Sequence, residues 1–298
     1  MLLTCLKLYG AALFWGGTFV AGRWLGGTTS PVTAAFFRFV VASLALLVLH
    51  WRREGPLPRL SPRQAAAVLL LGLTGICAYN LLFFEGLTRI AASRAALIIA
   101  LNPVAITLGA ALMFGEPLSR LRLLGAAISL VGAVVVITRG EPGLLLDVGV
   151  GAGELLILGC VLSWTLYSLI GRRAMRGLTP LGAVCWSSVA GTLLLACFAL
   201  PAGSLLEGAR LTAGSWLAIG YLGLFGTVLG FLWYFQGIRA LGPARAAVFI
   251  NFVPVNGVLL ATLLLNEPPD SSLLAGGALV LTGAWLAIRP ATGTRAKG

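Results

Sequence analysis

The sequence predicts an all-α membrane protein with ten transmembrane helices, arranged as two inverted five-helix repeats around a central cavity. Three observations point to this fold class: an apolar composition, ten separate apolar segments and a repeated spacing of particular residue types. Hydrophobic residues make up 59% of the 298 residues and charged residues only 10%. Soluble domains carry about 25% charged residues, so the composition favours a polytopic membrane protein.

The apolar segments account for most of the chain. Ten helices of roughly 20 residues use about 200 residues, which leaves loops too short for a folded nucleotide-binding or catalytic domain. Gly, Pro and charged breaks delimit segments at about 5–24, 31–51, 65–84, 91–114, 121–139, 152–171, 179–200, 215–236, 242–265 and 272–289. Ser30-Pro31, Ser61-Pro62 and Thr179-Pro180 are typical helix starts, with a capping hydroxyl before an early proline.

The basic residues predict how the chain crosses the membrane. The net charge is +12, and the Lys and Arg residues occur in short groups between the apolar segments. This pattern is typical of loops kept on the cytoplasmic side rather than of a surface that binds nucleic acid. Most of these residues share one side with the N-terminus, so we expect both termini in the cytoplasm of a bacterium and the chain in its inner membrane. The lipid bilayer and a small-molecule substrate are the expected partners.

The cysteines and the remaining motifs indicate no catalytic chemistry. Five cysteines fall inside apolar segments at irregular spacing, as small buried hydrophobes do: Cys5, Cys77, Cys160, Cys185 and Cys197. Nothing in the sequence resembles a nucleotide-binding loop, a zinc site or a catalytic triad. We therefore expect a protein that is not an enzyme and that uses no cofactor and no metal.

The two halves of the chain repeat the same spacing of Gly, Pro, Trp and Arg residues. Trp15 and Arg23 recur 149 positions later as Trp164 and Arg172, and Pro103 recurs 151 positions later as Pro254. Five segments per repeat is an odd number, so the second copy crosses the membrane in the opposite sense. We expect one membrane domain made of repeats 1–149 and 150–298. Inverted repeats are typical of secondary transporters, whose substrate site lies near the midplane where the copies meet.

Short motifs in each half resemble a known family. The first half contains Phe84-Glu85-Gly86-Leu87, Ala92-Ser93-Arg94-Ala95-Ala96, Asn102-Pro103 and Phe114-Gly115-Glu116-Pro117. The second half repeats them as Phe235-Gln236-Gly237-Ile238, Ala244-Arg245-Ala246-Ala247, Val253-Pro254 and Asn266-Glu267-Pro268. Over essentially its whole length the chain resembles the EamA family of the drug/metabolite transporter superfamily. One departure is Gln236, which stands where the first repeat has Glu85.

The resemblance implies ten helices, with helices 1–4 and 6–9 around a central cavity and helices 5 and 10 at the periphery. It is specific for the family and weak for the substrate, because members carry amino acids, other metabolites and drugs. Amino-acid export is among the family's activities, and one branch exports aromatic amino acids. The resemblance therefore implies an exporter of small metabolites.

Polar and aromatic residues inside the predicted helices are the candidates for the substrate site. They are Trp15, Arg38, Tyr79, Asn80, Phe83, Asn102, Trp164, Tyr234, Gln236 and Asn251. Arg38 either binds a substrate carboxylate, which its guanidinium matches, or has a structural role, in which it bonds helix-end carbonyls or extends outward to the membrane surface. The indoles of Trp15 and Trp164 either stack on a flat substrate or pack helices. The asparagines divide in the same way between substrate contacts and interhelical hydrogen bonds.

Two prolines are candidate hinges. Pro103 and Pro254 fall inside predicted helices 4 and 9, where a proline removes one backbone hydrogen bond and displaces the carbonyl four residues earlier. In hydrocarbon such a carbonyl needs a partner or a polar cavity. The pair serves either as hinges for alternating access or as static kinks that help the helices pack.

The distribution of acidic residues bears on the mechanism. No Asp or Glu lies clearly at the centre of a predicted helix, so we expect uniport or exchange without a buried proton-coupling carboxylate. The prediction is a secondary transporter that exports small metabolites by alternating access. Amino acids, aromatic ones among them, are the substrate class that we expect. The alternatives are a multidrug exporter of the same fold, a lipid-head-group carrier component and a membrane-embedded enzyme. Substrate identity, coupling ion, conformation, and monomer or dimer stay open at this stage.

Overall fold

Every regular element of the computed structural model is a helix of the α, 3-10 or π type, over the residues that it describes. These are 1–115, 119–138, 140–141, 150–175 and 177–287, with the backbone alone described at 122, 137, 244, 245 and 287. The predicted Glu116-Pro117 motif and residue 149, the end of the first predicted repeat, lie outside them. Arg245, in the second-half motif, is described by its backbone alone.

The main helices are labelled α1 to α10 in chain order. The first five are α1 Leu2–Leu25, α2 Pro31–Glu54, α3 Pro62–Arg89, α4 Ala92–Phe114 and α5 Arg120–Ile137. The others are α6 Ala152–Ala174, α7 Pro180–Ala199, α8 Ala213–Leu241, α9 Val248–Leu265 and α10 Ser271–Ala287. Short helices at Ser204–Ala209 and Pro243–Ala247 precede α8 and α9.

Eight of these helices are long and apolar enough to cross a membrane; in the described residues α5 and α10 are apolar but shorter. Large apolar side chains also cover the outside of the bundle, as Leu112 and Leu217 do at 89% and 76% exposure. Soluble monomers rarely expose large contiguous apolar patches. The chain is therefore a multi-pass membrane protein.

Local capping explains where three helices begin. The Oγ atoms of Ser30 and Ser61 and the Oγ1 atom of Thr179 each accept a backbone N–H from the first turn of α2, α3 and α7. Each is followed by a proline, whose missing N–H has no cost at that position. The three helix starts predicted from the sequence are confirmed.

Four helices contain irregular turns. A π-helical turn interrupts α3 at Gly72–Ala78, and another interrupts α8 at Leu222–Leu229. α4 is broken between Ala92–Ile99 and Asn102–Phe114, and α9 begins as a 3-10 turn at Val248–Asn251. π turns are rare in proteins overall, and those that occur are often found at functional sites.

The two prolines lie at the joints of the broken helices. Pro103 is in the first turn of the second piece of α4, and Pro254 is in the first turn of the α-helical part of α9. The irregular turns end within the four residues before each proline. A proline has no N–H for the carbonyl four residues earlier, so both prolines are placed where the regular hydrogen-bond pattern is interrupted.

Glycines set the close contacts between helices. A Cβ atom on Gly226 would lie 2.8 Å from the Thr18 side chain, so α8 packs directly on α1. A Cβ atom on Gly75 would lie 2.1 Å from the Tyr167 ring, so α3 packs directly on α6. α5 and α10 meet through their backbones, since a Cβ atom on Gly283 would lie 2.2 Å from the Ser129 nitrogen.

Candidate functional site

A small cavity lies where the helices of the two halves meet. Its volume is about 30 Å³, which is roughly the space that one water molecule takes up in the liquid. The lining residues are Trp15, Thr18, Phe19, Arg38, Tyr79, Phe83, Ile99, Asn102, Trp164, Phe231, Ile250 and Val253. They come from α1, α2, α3, α4, α6, α8 and α9, so the cavity is central to the bundle. With the side chains in these positions the cavity is too small for an amino acid.

The predicted site residues fall into two groups. Trp15, Arg38, Tyr79, Phe83, Asn102 and Trp164 line the cavity. Asn80, Tyr234, Gln236 and Asn251 are not among the lining residues. Asn80 is bonded to Arg38, and the Tyr234 ring lies 5.3 Å from that of Trp15. Gln236 accepts a hydrogen bond of 3.0 Å from Lys7 Nζ, and Asn251 precedes the α-helical part of α9.

Aromatic rings form the apolar wall of the cavity. The Trp15 and Trp164 rings meet edge to face with their centroids 5.3 Å apart, and the Phe231 ring lies 5.1 Å from that of Trp164. On the other side, the Tyr79 centroid is 5.5 Å from that of Trp164. Edge-to-face rings at such distances are favourable and nearly rigid. The wall is therefore suited to a flat or apolar ligand group.

The Trp15 indole is fixed by the irregular part of α8. Its Nε1–H donates a hydrogen bond of 2.8 Å to the carbonyl of Gly226, which lies within the π-helical turn. A buried indole N–H needs an acceptor, and the backbone of the π turn supplies it. This bond joins a residue of the first half to one of the second.

Arg38 is the one arginine of the lining and is 3% exposed. Its Nε–H donates to Thr227 Oγ1 at 3.0 Å, and Nη1 donates to Asn80 Oδ1 at 2.9 Å. Both acceptors are neutral, and the ion pairs of the described residues do not include Arg38. A guanidinium carries five N–H groups. Arg38 therefore keeps donors for a further acceptor in the cavity.

Two unpaired acceptors lie at the joints of α4 and α9, one of them at the cavity. Asn102 lines it with 2% exposure, and its Oδ1 atom is buried without a hydrogen-bond partner. The Oδ1 atom of Asn251 is also buried without one, beside the lining residue Ile250. Buried polar atoms normally have partners. The two joints in α4 and α9 therefore offer acceptors to a donor such as an ammonium group.

The acidic residues of the described chain lie away from the cavity. Glu207 accepts hydrogen bonds of 2.6 Å from both the backbone N–H and the hydroxyl of Ser30 and one of 2.5 Å from the Thr33 hydroxyl. Burial favours the protonated form, but these donors outweigh it and hold the pKa of Glu207 below its ordinary value. Glu267 accepts from the Ser93 backbone and hydroxyl, 3.8 Å from Arg23 Nε.

Sequence reasoning missed several residues of the site. Thr18, Phe19 and Val253 line the cavity, and Thr227 binds Arg38. The spacing Gly72-x-x-Gly75 and its recurrence at Gly223-x-x-Gly226 was the available signal, because these glycines mark the two π turns. Over the described residues there is no cluster of His, Cys, Asp and Glu that would hold a metal ion.

A multi-pass helical protein with a binding cavity between its helices has the architecture of a membrane transporter. The family model of the EamA-like transporters matches residues 2–138 and 151–289. The chain belongs to the EamA-like transporter family, which confirms the resemblance drawn from the motifs. It is therefore a transporter and not an enzyme.

Individual relatives agree with this assignment. The chain is 29% identical over 278 residues to the uncharacterized transporter YyaM of Bacillus subtilis, covering 93% of this chain and 91% of that one. It is 30% identical over 276 residues to the uncharacterized inner membrane transporter YedA of Escherichia coli K12, covering 88% and 84%. It is 29% identical over 261 residues to a probable terminal-alkyne amino-acid exporter of Streptantibioticus cattleyicolor, covering 87% and 84%.

One solved crystal structure has a similar fold. It superposes with a TM-score of 0.71 at 23% sequence identity, and the match covers 95% of this chain and 96% of that one. The helical architecture is therefore shared over nearly the whole of both chains.

Proposed function

We propose that the chain is a secondary transporter that exports amino acids with aromatic or other large apolar side chains across the bacterial inner membrane. The observation that carries this proposal is Arg38, a fully buried cation at a cavity with aromatic walls and with no carboxylate partner among the described residues. An intramembrane charge of this kind is costly and marks a functional site. A substrate carboxylate would neutralise it.

The other groups around the cavity support an α-amino acid over a simple anion. The unpaired Asn102 Oδ1 atom could accept a hydrogen bond from the substrate ammonium group. The rings of Trp15, Trp164 and Phe231 provide an apolar surface for the side chain, and aromatic faces also attract cations. The relative whose name specifies amino-acid export supports the same class.

We propose ten membrane spans, α1 to α10, as two inverted halves at 1–149 and 150–298. Pairs of equivalent residues meet at the centre, which is expected of residues beside a two-fold axis. The Trp15 and Trp164 rings are in contact, and the Ser43 and Thr192 hydroxyls, which are also 149 positions apart, lie 2.8 Å apart. Equivalent helix pairs also make equivalent contacts, with α1 against α8 and α6 against α3.

Transport would proceed by alternating access, with the cavity opening first to one side and then to the other. The charge distribution supports cytoplasmic termini. In that orientation, Glu267 with Ser93 and Glu207 with Ser30 join the halves on the outer side. Lys7 with Gln236 joins them on the inner side. The joints at Pro103 and Pro254 and the π turns of α3 and α8 are the places where the helices would bend.

The proposed mechanism is uniport or exchange. No Asp or Glu is among the lining residues of the cavity. No carboxylate there can therefore bind a proton in competition with the substrate. Phenols, amides and a guanidinium remain, and none of them changes charge readily near neutral pH. The carrier is proposed to act as a monomer, because the cavity is built from a single chain.

The test is transport by purified protein in liposomes. Labelled L-tryptophan, L-phenylalanine and L-leucine should be carried, with D-enantiomers and L-glutamate as weak competitors. Arg38→Met and Trp164→Ala should lose most of the activity. Arg210→Met and Trp51→Ala change exposed residues outside the cavity and should keep it. Equal competition by unrelated amphiphilic drugs, without stereoselectivity, would instead support a multidrug exporter.

A further inference from the structure

The hydrogen bonds of Arg38 connect the two halves of the protein through their irregular helices. Its Nε–H reaches Thr227 inside the π turn of α8, and its Nη1 reaches Asn80 directly after the π turn of α3. Thr227 and Asn80 belong to different halves. The guanidinium is therefore a polar bridge between the two halves beside the cavity.

Both acceptors are oriented by the π turns themselves. The Thr227 hydroxyl donates its proton to the Leu222 carbonyl, five residues earlier, at 3.1 Å, which leaves its lone pairs for Arg38. The Nδ2 group of Asn80 donates to the Ile76 carbonyl at 2.8 Å, which turns its Oδ1 atom towards Arg38. The two oxygens bind different edges of the guanidinium, because the Nε–H points towards the Nη2 side and away from Nη1, and Nη2 keeps its N–H groups for a further acceptor.

From this geometry we infer that Asn80 and Thr227 are stand-in ligands for Arg38 in the empty carrier, and that a substrate carboxylate, which pairs with Nη2 and with either Nε or Nη1, displaces one of them in each transport cycle. The inference rests on the proposed function, in which Arg38 binds that carboxylate. It assigns Asn80 and Thr227 as positioning residues: they compensate the buried charge when the carrier is empty. An empty carrier can then close and reorient, so net export does not require exchange for a second substrate molecule.

The physical basis is the difference between neutral and charged acceptors. A buried guanidinium without acceptors is strongly disfavoured in a low-dielectric interior. Two neutral oxygens relieve part of this penalty, whereas a carboxylate makes shorter and stronger charge-assisted bonds. The substrate can therefore displace the stand-ins. Once either acceptor is displaced, Arg38 no longer bridges the π turns of α3 and α8, and the halves are free to separate.

The test separates return of the empty carrier from exchange. Liposomes loaded with labelled tryptophan are diluted either into buffer without substrate or into buffer with unlabelled tryptophan. Thr227→Val and Asn80→Leu should slow efflux into substrate-free buffer on the order of tenfold relative to exchange, the factor expected for loss of a hydrogen bond to a charged group. Thr227→Ser keeps the hydroxyl and should restore the ratio.

A matched control lies in the π turn of α3. Thr74 is half-buried and its hydroxyl donates to the carbonyl of Leu70 rather than bonding Arg38, so Thr74→Val should leave the ratio unchanged. Asn80→Asp places a permanent carboxylate beside Arg38. It should slow efflux and exchange together and raise the half-saturating tryptophan concentration. If Thr227→Val and Asn80→Leu change efflux and exchange equally, or not at all, the inference is overturned.

Hydrogen–deuterium exchange of the substrate-free protein decides the inference without any transport. Asn80→Leu should speed amide exchange of residues 222–229 in the other half, because Arg38 connects the two segments. Thr74→Val should not do so, and an unchanged 222–229 segment in Asn80→Leu overturns the inference. If the wild type carries no amino acid in the liposome assay, the proposed function fails. The hydrogen–deuterium measurement then still tests whether Arg38 connects the two π turns.

Discussion

The packing of α5 on α10 allows a sharp test with two glycine substitutions. A Cβ atom added at Gly283 would lie 2.2 Å from the Ser129 nitrogen and 2.5 Å from the Gly125 carbonyl oxygen. These are backbone atoms, which cannot rotate away as the end of a side chain can. Gly283→Ala therefore forces the two helices apart, and overpacking of this kind costs about 1–3 kcal/mol.

The matched control is Gly220→Ala in α8. A Cβ atom there meets nothing within 4 Å, and alanine is about 1 kcal/mol better than glycine in a helix interior. Thermal unfolding in one detergent should give a lower midpoint for Gly283→Ala than for the wild type and an equal or higher one for Gly220→Ala. A midpoint for Gly283→Ala at or above that of the wild type would refute this account of the packing.

Three further predictions concern the cavity and the loops. Trp164→Ala removes a ring that would contact the substrate, and a contact between two rings is worth about 0.5–1.5 kcal/mol. The half-saturating concentration for tryptophan should therefore rise several-fold, and that for alanine, which has no ring, should stay nearly constant. The hydrogen bonds to the Glu207 carboxylate lower its pKa in the folded protein. The stability that this carboxylate contributes is therefore present above the ordinary pKa of 4.5 and is lost as the pH falls through the lower pKa of the folded state. The unfolding midpoint of the wild type should thus fall more on acidification than that of Glu207→Gln, and equal slopes would show that the Ser30 and Thr33 contacts are not maintained. An imposed pH gradient should leave the transport rate in liposomes nearly unchanged, and strict dependence on the gradient would show that a proton is coupled.

Much of the fold followed from the sequence because apolar length and helix caps are local properties. The predicted segment 152–171 corresponds to Ala152–Ala174, and 31–51 corresponds to Pro31–Glu54. The π turns of α3 and α8 were not predicted, although the repeated glycine spacing that marks them was visible in the sequence. Glycines at such spacings are also typical of close packing between regular membrane helices, so the spacing alone does not specify a π turn.

The residue types of the site could be predicted from the sequence, but the hydrogen bonds between them could not. Arg38 and the two tryptophans stand out in a sequence because charged and indole groups are unusual at depth in a membrane. Thr227 does not stand out, since a threonine in a helix usually bonds its own backbone. Its role depends on Arg38, which is 189 positions away, and only the three-dimensional packing brings the two together.

The claim at the centre of this account is that Arg38 binds the carboxylate of the transported molecule. Binding of tryptophan and of tryptamine, which lacks the carboxylate, can be measured on the wild type and on Arg38→Met by ligand-induced thermal stabilisation. The account predicts a double-mutant cycle with strong coupling: tryptophan binds the wild type more tightly than tryptamine does, and Arg38→Met removes that preference. If Arg38→Met weakens the binding of tryptophan and of tryptamine equally, Arg38 does not bind the carboxylate and the claim is contradicted.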